Sequence, residues 1–84
     1  LLERIPGESD QVIYNDRLGW TKSEQGEYKE AMTYYERAIS IEEKTLSSAG
    51  HLLGGLYNNI GMVYDKMGEY SQALSFYNKA LAIF

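Results

Sequence analysis

The chain has no cysteine, one proline, one histidine and one tryptophan among its 84 residues. Without thiols, neither a disulfide framework nor a thiolate metal site can form. The same absence fits a reducing compartment, and a cytoplasmic location is expected. No apolar run approaches the roughly 20 residues of a membrane-spanning helix, so a soluble, membrane-free chain is expected. Basic charge is scarce: 8 Lys and Arg stand against 12 Asp and Glu, a net charge of −4. That balance argues against nucleic acid as a partner, since such proteins carry a basic stripe. Charges of both signs are interleaved, as on solvated helix faces, and Glu42-Glu43 reads as one such solvated pair. His51 lies beside Gly50 with no acid or nucleophile at motif spacing, so neither catalysis nor a metal site is expected of it. Gly50-x3-Gly54-Gly55 lacks the Lys-Ser/Thr of a phosphate-binding loop, and no cofactor is expected.

What the chain does have is a repeat. Gly26-Glu27-Tyr28-Lys29-Glu30-Ala31 returns 42 residues later as Gly68-Glu69-Tyr70-Ser71-Gln72-Ala73. At the same offset Tyr34-Tyr35-Glu36-Arg37-Ala38-Ile39 answers to Phe76-Tyr77-Asn78-Lys79-Ala80-Leu81, and Leu18-Gly19 to Ile60-Gly61. A fixed period of this size indicates repeated supersecondary units stacked side by side. A chain of 84 residues has room for one small domain, with a modest core. It begins at Leu1 and stops at Phe84 inside an apolar-periodic stretch, and it reads as a piece of something longer.

Apolar spacing of three and four predicts four helices. They run from about Asp10 to Gln25, Tyr28 to Leu46, Leu52 to Met67 and Tyr70 to Phe84. Gly26 and Gly68 sit where one stripe ends and the next begins, suited to close a helix in a left-handed conformation. The connections there are short enough to force antiparallel neighbours, so each period is a helical hairpin. Residues 10–46 form the first repeat, 47–51 a linker and 52–84 the second repeat. Residues 1–9 are a preceding helix tail or linker, with Ser9 or Asp10 able to cap the first helix. Gly19 and Gly61 fall in mid-helix, where glycine costs about 1 kcal/mol relative to alanine. Close approach of a partner helix accounts for that cost. Ala31, Ala38, Ala73 and Ala80 allow the same approach from the other side, and large tyrosines fill the space between.

The second unit reads Tyr57-x2-Ile60-Gly61-x2-Tyr64-x3-Gly68-x-Tyr70-x2-Ala73-x3-Tyr77-x2-Ala80. This resembles the tetratricopeptide repeat. The first unit matches at Leu18, Gly19, Gly26, Tyr28, Ala31, Tyr35 and Ala38. It departs at Asn15, where an aromatic belongs, and at Lys22, where a tyrosine belongs. The period of 42 is similar to the longer repeats of kinesin light chains. The resemblance implies an all-α fold of antiparallel hairpins stacked as a right-handed superhelix. It also implies a protein- or peptide-binding groove lined by the first helix of each hairpin. Arg17, Trp20, Glu24, Asn58, Asn59, Met62, Asp65 and Lys66 would face that groove. Asp16 and Trp20 stand where a carboxylate clamp would need Lys and Asn, so a chaperone-tail clamp is not expected. Four candidates also have a plainer reading: Trp20 as packing, Asn58 and Asn59 as polar surface or local caps, Arg17 paired with Asp16 or Glu24 on its own helix. Two further functions stay open: a spacer or self-association surface using the terminal repeat faces, and an accessory segment of an enzyme whose catalytic domain lies outside these residues.

Overall fold

The computed structural model describes residues 7–44 and 50–83. The expectations for residues 1–6, Leu46, residues 47–49 and Phe84 lie outside them. Four helices follow one another: α1 (Glu8–Glu24), α2 (Tyr28–Lys44), α3 (Gly50–Lys66) and α4 (Tyr70–Ile83). Among the described residues there is no strand. α3 begins at Gly50, two residues before the apolar stripe that announces it. At the start of α1, Gly7 at φ 93° is the N-cap, so Ser9 and Asp10 lie inside the helix and neither caps it.

α1 pairs with α2, α3 pairs with α4, and α3 packs on α2, so two antiparallel hairpins stand side by side. The turn inside each hairpin follows from one glycine. Gly26 (φ 81°) and Gly68 (φ 80°) take the left-handed conformation that a side chain would oppose. In the first turn the Glu27 N–H donates to the Lys22 carbonyl (2.8 Å) and Gly26 to Ser23 (3.0 Å). In the second, Glu69 donates to Tyr64 (2.8 Å) and Gly68 to Asp65 (3.0 Å). Both are Schellman closures, which satisfy the last carbonyls of a helix and reverse the chain within a few residues.

The two mid-helix glycines explain how each hairpin closes. A Cβ built on Gly19 would lie 2.7 Å from the Tyr35 ring, and one on Gly61 2.7 Å from the Tyr77 ring and 3.2 Å from the Ala73 carbonyl oxygen. The aromatic of each second helix therefore rests on bare backbone of the first. Tyr35, Ala31 and Ala38 are fully buried and join Val12, Leu56, Ile60 and Val63 in one core shared by α1, α2 and α3. Glu42 continues the Tyr35–Ala38 stripe of α2 and is buried as well, which corrects the reading of Glu42-Glu43 as a solvated pair; only Glu43 is exposed.

The two departures in the first unit have local substitutes. Lys22 forms an ion pair with Glu30 (2.9 Å) across the α1–α2 turn. Its counterpart Tyr64 stacks on Phe76 (centroids 5.5 Å apart). Asn15 donates from Nδ2 to the Gln11 carbonyl (2.8 Å), whereas Tyr57 packs on Phe76 (6.1 Å).

The stripe of α4 divides in two. Ala73 and Ala80 are buried, but Tyr70, Leu74 and Leu81 are exposed. Their counterparts on α2, Tyr28, Met32 and Ile39, pack against the core where α3 covers them. No third hairpin covers α4 among the described residues.

In urea titrations we expect Gly61→Ala to destabilise the fold by about 1–3 kcal/mol. Crowding of the Tyr77 ring outweighs the ~1 kcal/mol of helix propensity gained. At Gly55 a Cβ would meet nothing within 4 Å, and the same change should stabilise by about 0.5–1 kcal/mol. Equal effects at the two sites would remove ring packing as the reason for Gly61.

A second expectation concerns Tyr35. Its hydroxyl is buried with no hydrogen-bond partner among the described residues. Burial first, then the charges of Asp16 and Glu24, push its pKa up from 10.0. The folded state therefore holds this proton more tightly than the unfolded chain. The stability it confers is intact below pH ~10 and falls as pH rises further. Tyr35→Phe should leave neutral-pH stability unchanged or higher, because an orphan hydroxyl is removed, and should flatten the alkaline loss. An equally steep loss in the variant, read by circular dichroism, would assign it to other groups.

Candidate partner-binding site

The first helices of the two hairpins, α1 and α3, lie side by side with only a light direct contact. Side chains at helical spacing line their adjoining edges: Asp16, Trp20 and Glu24 on α1, Asn59, Met62 and Lys66 on α3. Two polar bridges connect the edges. Asn59 Nδ2 donates to Asp16 Oδ1 (2.7 Å) in a part-buried setting. Lys66 donates from Nζ to Glu24 Oε2, and the same ammonium stands 5.6 Å from the centroid of the Trp20 ring. Lys66 is also the last residue of α3, where a cation is favoured by the helix dipole.

The eight candidate residues separate into groups. Trp20, Glu24 and Lys66 form one cluster. Trp20 is 44% exposed, so it is a surface aromatic with a cation against its ring. A contact of that kind contributes about 0.5–1 kcal/mol at an exposed site. Asn58 directs its amide to Met62 Sδ (3.8 Å) on its own helix. Asn59 is committed to Asp16 through one N–H, and its amide has a further hydrogen and a carbonyl oxygen able to bond. Asp65 is exposed and faces α4, where its charge and a hydrogen bond help burial to raise the Tyr77 pKa. Arg17 is exposed. Neither of its suggested partners is joined to it: Asp16 is bonded to Asn59, and Glu24 to Lys66.

Asp16 is the member absent from the expected set, although its position four residues before Trp20 places it on the same edge. The Lys66–Glu24 pair has side-chain exposures of 33% and 52%, so water screens it and it holds the helices only loosely. Among the described residues no cluster of His, Cys, Asp or Glu is suited to hold a metal ion. Among the described residues no helix is long and apolar enough to cross a membrane.

Stacked helical hairpins, each closed by an aromatic on a mid-helix glycine, define a helical-repeat protein. Residues 11–84 match the family model described as Tetratricopeptide repeat, and the chain belongs to the tetratricopeptide repeat family. No curated protein and no solved structure matches it. Tetratricopeptide repeats generally mediate protein–protein interaction and are typically non-catalytic scaffold modules.

The two bridges should differ in strength. A double-mutant cycle of Glu24→Gln with Lys66→Gln should give a coupling below about 1 kcal/mol. Asn59→Ala should cost about 1–3 kcal/mol, because it strips the partner from a part-buried carboxylate. The reverse order in urea titrations would show that the exposed pair is what ties α1 to α3.

Proposed function

We propose that the chain is a binding module that presents the α1–α3 edge to a peptide or a segment of a partner protein, as part of a longer scaffold. The observation that carries this reading is Trp20: a large aromatic, 44% exposed, steadied by Lys66 on the first helix of a tetratricopeptide hairpin. Aromatic rings of this kind supply binding energy with little entropy to lose. Asn58, Asn59 and Met62 add donors, acceptors and apolar surface on the neighbouring helix, while Arg17 and the Glu24–Lys66 pair add charge; Asp65 faces α4 and is left out of this edge. The longer period, like that of kinesin light chains, and a right-handed superhelix belong to this reading. So does a cytoplasmic, non-enzymatic role. Two repeats offer little area, so an isolated affinity near micromolar, about −8 kcal/mol, is expected.

A second reading is self-association. It is favoured by the exposed Tyr70, Leu74 and Leu81 of α4, whose counterparts on α2 are covered. Peptide display on the folded chain, with sedimentation of the free chain alongside, separates the two. A monomer whose selected peptides lose at least tenfold in affinity on Trp20→Ala or Asn59→Ala supports the groove. Binders indifferent to both changes, or a dimer abolished by Leu81→Lys with no peptide selected, would replace it with the second reading.

A further inference from the structure

Gly55 has no reason for being glycine among the described residues. It lies in the second turn of α3, at a helical position where glycine costs about 0.5–1 kcal/mol. Gly19 and Gly61 meet an aromatic ring at 2.7 Å, but a Cβ on Gly55 would meet nothing within 4 Å. The repeat supplies the comparison: 42 residues earlier, the equivalent position is Ile13. One unit carries a branched aliphatic there and the other carries none, and the two positions face the same space. They line a pocket of about 110 Å³ between the N-terminal halves of α1 and α3, together with Val12, Leu52 and Leu56. Val12 and Leu56 are buried and Ile13 is 42% exposed. The Asp16–Asn59 bridge completes the lining.

We propose that this pocket receives one branched aliphatic side chain (Val, Ile or Leu) of an extended peptide, next to a Lys or Arg of the same peptide that pairs with Asp16. This rests on the groove reading above and names the chemistry of its ligand. Size selects the side chain. The space of about 110 Å³ is several times the ~10–15 Å³ that one water needs, and a branched aliphatic group fills it. The lining is apolar with one polar bridge at its margin, the usual composition of a specificity pocket. Charge selects the neighbour: Asp16 Oδ1 is bonded to Asn59, its other oxygen takes no bond from a described residue, and the chain carries a net charge of −4. The bare backbone of Gly55 lets the ligand main chain come close, which a side chain there would prevent.

The test is a random-peptide display selection on the 84-residue chain. It is followed by affinity measurements of the selected peptides on Gly55→Ile, Asp16→Asn and Trp20→Ala, with melting curves and sedimentation for each. Gly55→Ile places in the second repeat the residue that the first already carries, in open space, and should melt no lower than the parent. Selected peptides should share Val, Ile or Leu beside Lys or Arg. Gly55→Ile should weaken them about ten- to hundredfold, the value of hiding one such side chain. Asp16→Asn should erase the basic preference and keep the aliphatic one. Peptides that bind Gly55→Ile as well as the parent but fail on Trp20→Ala would overturn the pocket and leave the groove standing. Peptides indifferent to all three variants, or no peptides at all, would overturn both. A Gly55→Ile variant that changes the sedimentation of the free chain would give the pocket to a second copy and overturn the proposal.

Discussion

Everything in this fold depends on a tyrosine ring resting on a glycine backbone. Gly19 under Tyr35 and Gly61 under Tyr77 bring the two helices of each hairpin closer than any side chain would permit. That approach buries Ala31, Ala38, Ala73 and Ala80, small residues that hide little apolar area of their own but leave no void beneath the rings. The protein is about 13 Å across in its thinnest direction, little more than one helix diameter. With so little depth, the seating of one ring decides much of the core, and a single methyl group at Gly61 is felt by the whole hairpin.

The same contact leaves α1 and α3 with an edge in common. Once α2 and α4 are drawn against α1 and α3, the first helices keep an adjoining edge that no helix covers among the described residues. Asp16–Asn59 and Glu24–Lys66 span that edge from one repeat to the next. The Asp16–Asn59 bridge is part-buried, whereas the Glu24–Lys66 pair beside Trp20 is screened by water. Lys66 and Asn59, both expected to face a groove, each serve a partner within the chain, Glu24 and Asp16.

Helix number, pairing and turns were legible in the sequence because they rest on local rules. Spacing of three and four marks the stripes, and glycine after a stripe marks a left-handed closure, as Gly26 and Gly68 do. Boundaries were less legible: α3 begins at Gly50 and α1 is capped by Gly7. Glu42 was legible in principle, since it continues the stripe of Tyr35 and Ala38, but its charge disguised it. Leu74 and Leu81 fit the apolar rhythm of α4, yet they are exposed. Periodicity reports which face is apolar and says nothing about whether another helix arrives to cover it.

From the residues alone came the repeat, the all-α class, the family pattern and the places where helices must touch closely. These follow from backbone conformation and from side-chain size, both properties of short stretches of chain. The tertiary structure decided which polar groups answer one another across the repeats, that Trp20 stands at the surface beneath a lysine, and that the space beside Ile13 is left open by Gly55. Those outcomes depend on residues some 42 positions apart meeting at angstrom range, and such a meeting is set by how the hairpins dock.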